Sequence, residues 1–356
     1  MERELRLMKG NEAVAEAAIR AGADGYFGYP ITPQSEIIEY LMEADPYQRT
    51  GMVVLQAESE LAAINMVYGG AGCGKKVMTT SSSPGISLMQ EGLSYIAGAE
   101  LPCVVVNVVR GGPGLGTIQP SQSDYFQSVK GGGHGDYHLI VLAPASVQEM
   151  ADFVELGFDL AFKYRNPVMI LSDGAIGQMM EKVWLGPQKE RSETSPDWAT
   201  TGKPPTRKRN IITSLELDPY RQELFNQKLI EKYNEIRRNE VRYEEYHCED
   251  ADYLLVAYGT SARVSQKSVE LAREQGLKVG LLRPVTLFPF PVDPINKLAD
   301  KVKMVLSVEM SAGQMVEDVR LAVNGKVPVH HYGRIGGMIP TPDEVVENLK
   351  KLISGS

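Results

Sequence analysis

Between residues 10 and 185 the sequence repeats one alternation, a short continuous apolar run followed by a longer segment with helical periodicity. The runs are "DGYFGYP", "GMVVLQA", "KKVMTTS", "PCVVVNVV", "YHLIVLAP" and "PVMILSD". Most do not alternate apolar with polar residues, so they belong in strands buried on both faces, as in a parallel sheet covered by helices. The helices come from "NEAVAEAAIRAG", "PQSEIIEYLME", "ESELAAINMVYGGAG", "GISLMQEGLSYIAGAE" and "SVQEMADFVELGFDLAFKYR". An α/β fold follows, with βα units in series.

The rhythm breaks near residue 186. "GPQKERSETSPDWATTGKPPTRKRN" is rich in Pro, Ser, Thr and charge, as expected of an exposed arm. The next stretch, "DPYRQELFNQKLIEKYNEIRRNEVRYEEYHC", reads as one long charged helix, N-capped by Asp218 with Pro219 at its first position. From Asp252 the βα rhythm resumes through "DYLLVAYG", "KVGLLRPVTLFPF", "KMVLSVEM" and "VPVHHYG". The expected division is residues 1–185, a connector at 186–250, and a smaller α/β domain at 251–356. A chain of 356 residues is long enough for two cores.

Charge narrows the function classes. Lys and Arg number 37 against 45 Asp and Glu, a net −8. No basic patch forms, so nucleic acid and anionic membranes are unsuitable partners. The first residues read as a charged start and an amphipathic helix, without an apolar run of signal or membrane-span length, so a cytoplasmic location is expected. Cys73, Cys103 and Cys248 stand far apart without C-x-x-C pairing, which argues for reduced thiols and against a cysteine-held metal or iron–sulfur cluster in this chain. His330 and His331 are neighbours on a strand-like run and face opposite ways. No metal site is expected.

Two glycine-rich segments imitate nucleotide-binding loops. "GGAGCGKK", Gly69 to Lys76, has near-P-loop spacing, but it follows a helix, precedes a strand, and has Lys76 where magnesium requires Ser or Thr. A helix C-cap leading into a turn accounts for it. "RGGPGLGTIQPSQSD" follows a strand but fails the G-x-G-x-x-G spacing, so it does not support a nicotinamide site. It does leave the carboxyl end of a strand, where open α/β sheets place ligands.

Four such joints carry candidate chemistry. In "GYFGYPITPQSEII", Pro30 and Pro33 bracket Ile31 and Thr32. Pro33 suits Thr32 to be a helix N-cap, with proline as the first helical residue. Glu58 and Glu60 lie at the second joint, where a glutamate favours the helix dipole without further cause. Alternatively, a carboxyl held in an apolar setting shares a proton with a ligand nitrogen. Arg110 ends a strand; its guanidinium either reaches solvent or holds a carboxylate through a two-pronged hydrogen bond. "TTSSSPG", with Ser83, forms the fourth joint.

Taken in order, "GYFGYPITPQSE", "QAESELAAINMVYGGAG", "VMTTSSSPGISLMQEGLSYIAGAELP" and "VVRGGPGLG" resemble the pyrimidine-binding subunit of the 2-oxoacid:ferredoxin oxidoreductases, most closely the branched-chain 2-oxoisovalerate (3-methyl-2-oxobutanoate) type. The resemblance covers about residues 6 to 185. "YGTSARV" and "LLRPVTLFPFP" resemble the transketolase C-terminal domain that follows in that family. It implies a parallel-sheet domain binding the pyrimidine end of thiamine diphosphate, with Pro30, Ile31 and Thr32 beside the cofactor and Thr32 also beside the substrate. Glu60 would meet the aminopyrimidine ring, Glu58 being its rival. Arg110 would hold the 2-oxoacid carboxylate, and Ser83 would lie near the cofactor.

The chain lacks the Gly-Asp-Gly segment by which thiamine enzymes hold magnesium and diphosphate, and it lacks cysteine sets for iron–sulfur clusters. The resemblance therefore implies separate partners: a diphosphate-binding subunit with Mg2+, a ferredoxin-like subunit with [4Fe-4S] clusters, and a transfer (gamma-type) subunit. Coenzyme A would accept the acyl group and ferredoxin the electrons. Two other readings remain open, a 2-oxoglutarate-specific enzyme and a non-catalytic ligand-binding α/β protein. The first needs a second cation, and none follows Arg110 before Lys130.

Overall fold

A computed structural model of the chain describes residues 3–191 and 194–355. The chain opens with β1 (Glu4–Lys9) and α1 (Gly10–Arg20), then β2 (Gly25–Gly28), α2 (Ser35–Glu43), α3 (Pro46–Thr50), β3 (Val53–Gln56) and α4 (Glu60–Gly72). It continues through β4 (Val77–Ser81), α5 (Ser83–Gly98), β5 (Cys103–Val109), a single π-helical turn at Gln127–Gly131, β6 (Ile140–Leu142), α6 (Val147–Tyr164), β7 (Pro167–Asp173), α7 (Gly174–Gln178) and β8 (Met180–Leu185). Strands β2 to β7 form one parallel sheet in the order β6-β7-β5-β4-β2-β3. Strands β4, β5 and β7 are buried along their whole length, because helices cover both faces.

The C-terminal half holds α8 (Pro219–Asn239), β9 (Tyr243–Tyr246), β10 (Tyr253–Val256), α9 (Gly259–Glu274), β11 (Val279–Pro284), β12 (Thr286–Phe288), α10 (Val292–Ala299), β13 (Met304–Glu309), α11 (Met315–Val323), β14 (Val329–Gly333) and α12 (Pro342–Ser354). Its sheet runs β14-β13-β10-β11-β9, parallel except for β9. One strand crosses over: β12 pairs antiparallel with β6 and closes the edge of the N-terminal sheet. The two halves therefore share backbone hydrogen bonds.

Asp218 caps α8 as expected, accepting from the amides of Tyr220 and Arg221 at 2.9 and 3.3 Å. The long helix stops earlier than its charge pattern suggests. Glu240, only 3% exposed, is held by Lys163, Tyr164 and Arg242, and the chain then turns into β9. The N-terminal helix is likewise preceded by a strand, β1, which pairs antiparallel with the distant β8. The glycines of "GGAGCGKK" end α4: Cys73 is its C-cap, and Gly74 adopts a φ of +72°. Among the described residues no helix is long and apolar enough to cross a membrane.

Candidate functional site

The connections leaving four adjacent strands, β5-β4-β2-β3, carry Arg110, Ser83, Thr32 and Glu60 at the carboxyl ends of those strands. The chain runs from β2 outward to β3 and then back across to β4, so this edge contains the point where strand order reverses. That is where a parallel sheet leaves a crevice for a ligand.

Glu60 is the first residue of α4, fixed there by Ser59, whose hydroxyl accepts from the Ala62 amide at 3.2 Å. It is 6% exposed, and its carboxylate has no hydrogen-bond or ion-pair partner among the described residues. Glu58, two residues earlier, is exposed. Helix α5 approaches Glu60 through Gly85: a Cβ there would sit 2.4 Å from Glu60 Oε1 and 2.1 Å from Ser81 Oγ. Replacing Gly85 with alanine is therefore expected to displace the carboxylate. The complex should lose at least about tenfold in turnover even where unfolding temperature changes little, as parallel kinetics and thermal melts would show. Around the same corner Ser81 and Ser82 are fully buried, and among the described residues their hydroxyls have no partner.

Arg110 is buried, yet among the described residues its guanidinium does not bond another side chain. Nη1 donates to the Thr32 carbonyl at 2.9 Å and Nη2 to the Leu115 carbonyl at 3.2 Å, while Nε has no partner. It ties the Thr32 loop to the glycine-rich loop and leaves further N–H groups for an anion. Ser83 secures it from behind, its hydroxyl exchanging hydrogen bonds with the Arg110 amide and carbonyl, both 3.1 Å. Nearby, the Asp124 carboxyl accepts from Asn107 at 2.9 Å. Desolvation raises the Asp124 pKa, and the hydrogen bond from Asn107 opposes the rise.

Thr32 does not cap α2. The cap position is Gln34, the helix starts at Ser35, and Pro33 lies outside it in a turn closed by the Gln34 amide on the Ile31 carbonyl at 2.9 Å. The Pro33 carbonyl is taken by the side chains of Asn11 (2.7 Å) and Gln178 (3.0 Å), which hold the turn away from helical geometry. Thr32 is thus exposed at the mouth, with half-buried Pro30 and Ile31 beside it. The Thr32–Pro33 peptide is cis.

Sequence reasoning missed the polar floor beneath this mouth. Fully buried Gln34 donates to the Tyr29 carbonyl at 3.2 Å and accepts from Thr80, which also bonds the Tyr26 hydroxyl at 2.8 Å. Each is an ordinary residue of a helix or strand pattern, and only the tertiary fold brings them together. Among the described residues no cluster of three or more His, Cys, Asp or Glu side chains is placed to hold a metal.

Comparison with known proteins places the chain in a family. Residues 16–249 match the model described as pyruvate flavodoxin/ferredoxin oxidoreductase, thiamine diphosphate-binding, and residues 251–345 match pyruvate:ferredoxin oxidoreductase core domain II. The chain is 52% identical over 352 residues to the ketoisovalerate oxidoreductase subunit VorB of Methanothermobacter thermautotrophicus, covering 99% of each. It superposes with a TM-score of 0.86 and 29% identity on the 2-oxoglutarate:ferredoxin oxidoreductase of Magnetococcus marinus, a structure with 2-oxoglutarate, coenzyme A and succinyl-CoA bound, covering 99% of this chain and 66% of that one. A split-gene transketolase shares the fold alone, with a TM-score of 0.61 at 13% identity over 98% of both chains. These two matched regions and the full-length similarity to a ketoisovalerate oxidoreductase subunit make this chain a member of the thiamine diphosphate-dependent 2-oxoacid:ferredoxin oxidoreductase family, as one subunit of a multi-subunit enzyme.

Proposed function

We propose that the chain provides the pyrimidine-binding half of a shared thiamine diphosphate site in an enzyme that oxidatively decarboxylates 2-oxoisovalerate or a similar branched-chain 2-oxoacid. The products are the acyl-CoA and carbon dioxide, with two electrons passed singly to ferredoxin. The observation that carries the reading is Glu60, a buried carboxylate with no partner among the described residues, on the same sheet edge as a buried arginine. A buried carboxyl group that none of the described residues satisfies suits a ligand bearing a basic nitrogen. The unpartnered hydroxyls of Ser81 and Ser82 alongside it fit the same polar heterocycle.

When bound, thiamine diphosphate supplies a carbon nucleophile and accepts the electron pair left by decarboxylation. This chain's part is to hold and orient. Glu60, between the walls formed by Gly85 and the Ser81–Ser82 corner, would share a proton with the aminopyrimidine ring. Arg110 presents its remaining N–H groups to the 2-oxoacid carboxylate, with Ser83 fixing its backbone. Thr32 would offer its hydroxyl to the reacting centre, with Pro30 and Ile31 as the adjoining wall.

The substrate's side chain is read as apolar. Lys130, the first basic side chain after Arg110, is occupied by Asp318, whereas Leu115 and Ile118 are exposed on the intervening loop. The name of the VorB relative points the same way.

Magnesium, the diphosphate contacts and the iron–sulfur clusters are assigned to separate diphosphate-binding, ferredoxin-like and transfer subunits. Exposed Leu61, Leu88, Leu115 and Ile118 near the site offer an apolar surface for such a partner. The test is to assay the purified complex with 2-oxoisovalerate, 2-oxoglutarate and pyruvate under coenzyme A and ferredoxin. The reading expects kcat/KM to be highest for 2-oxoisovalerate by at least about tenfold. A preference for 2-oxoglutarate would overturn the substrate assignment.

A further inference from the structure

The loop that carries Arg110 is held by the other half of the chain. It closes on itself, with the Gly111 amide donating to the Gln119 carbonyl at 2.9 Å and Arg110 bridging Pro120. Its foot is then anchored in the C-terminal half. Gln122 is 2% exposed and bonded almost completely: its amide donates to the Met310 carbonyl at 2.9 Å and Nε2 to the Tyr258 carbonyl at 2.8 Å. Its Oε1 accepts from Ser261 Oγ at 2.7 Å and the Met310 amide at 2.9 Å, and the Ser121 hydroxyl donates to the Met310 carbonyl at 3.2 Å. The loop's upper part leans on a second C-terminal element. A Cβ on Gly337 would lie 2.5 Å from Gln119 Cβ and 2.9 Å from Thr117 Cγ2, and one on Gly111 would lie 3.1 Å from the Gly337 nitrogen.

The C-terminal half contributes none of the residues placed at the thiamine site, yet it touches the arginine's loop at both foot and shoulder. We infer that it acts as a buttress for substrate binding, with Gln122 and Gly337 as positioning residues that set where Arg110 meets the 2-oxoacid carboxylate. The inference rests on the carboxylate-binding reading of Arg110. Glu60, the residue proposed to meet the aminopyrimidine, lies on α4 outside this loop, so disturbing the buttress bears first on the carboxylate site. A contact that only glued two domains together would change stability and leave that site alone.

The experiment compares assembled complexes containing Gly337→Ala, Ser261→Ala and Arg110→Lys with the wild type. Steady-state kinetics, thiamine diphosphate titration, thermal melts and amide exchange of residues 111–119 are the readouts. Gly337→Ala adds a methyl group against Gln119 at a φ of +92° that disfavours alanine, so it is the larger disturbance, and Ser261→Ala deletes one bond of the latch. The buttress predicts that Gly337→Ala raises KM for 2-oxoisovalerate about tenfold and changes kcat less than about threefold. Ser261→Ala shifts KM in the same direction by less. Both speed exchange in residues 111–119, with cofactor affinity unchanged. An unchanged KM in both variants, beside a raised KM in Arg110→Lys, overturns the buttress while leaving the arginine's role standing. An unchanged KM in Arg110→Lys overturns the carboxylate reading and this inference with it.

Discussion

Replacing Glu60 with glutamine is expected to lower turnover of the assembled complex by at least about 100-fold, the scale on which a positioned proton-sharing group acts. Folding should be unaffected. The amide matches the carboxylate in shape, no internal hydrogen bond is lost because the carboxylate makes none among the described residues, and an unpaired buried charge is removed. The melting temperature should therefore equal or exceed that of the wild type. Glu58→Gln, two residues away and exposed, should leave turnover unchanged. Parallel kinetics and melts on the two variants check both halves of the expectation, and equal turnover in both would return Glu60 to a helix-terminus role.

The second large effect concerns stability, at Glu16 in the middle of α1. Its side chain is wholly buried and holds four groups from three elements: Arg20 Nε at 2.7 Å, Arg49 Nη1 and Nη2 at 2.9 and 3.0 Å, and the Tyr40 hydroxyl at 3.0 Å. Glu16→Gln leaves partly buried arginines without their counter-charge and should cost about 3 kcal/mol, the low end for breaking a buried pair because Arg49 is about one-third exposed. Burial pushes the Glu16 pKa up, but the hydrogen bonds from Arg49 and Arg20 outweigh it, so the folded-state value lies below the ordinary glutamate range. A depressed folded value means that the stabilisation is complete above the unfolded-state pKa and is lost as pH falls through the folded one. Denaturant unfolding of wild type and Glu16→Gln should therefore differ near neutral pH and converge in acid. A constant difference across that range would contradict the assignment.

The parts of the fold set by local pattern were legible in the sequence. Continuous apolar runs announced the doubly covered sheet, Asp218 and Pro219 announced the start of α8, and the glycines after α4 were readable as a terminus because their order was wrong for a phosphate loop. What escaped was set by distant partners. Strand β1 exists because β8 pairs with it, β9 because the second sheet has an open edge, and β12 because it completes the first sheet. The site divides in the same way. Its joints could be read from strand-to-helix transitions, but Thr32 was misplaced as a cap because nothing local shows that Asn11 and Gln178 hold the Pro33 carbonyl. Gln34, Thr80 and Gln122 carry no periodicity that marks them, since their partners lie far along the chain. The roles proposed for Glu60 and Arg110 came from resemblance, and the structure adds that one is unpartnered among the described residues and the other already holds two carbonyls.

The measurement closest to the central claim is anaerobic. The complex is recovered through an affinity tag on this chain, and its visible spectrum is recorded before and after 2-oxoisovalerate and coenzyme A are added. The account predicts that iron–sulfur absorption bleaches, and that it does so only while thiamine diphosphate is present. A complex that carries its clusters and cofactor but shows no bleaching with any 2-oxoacid would contradict it.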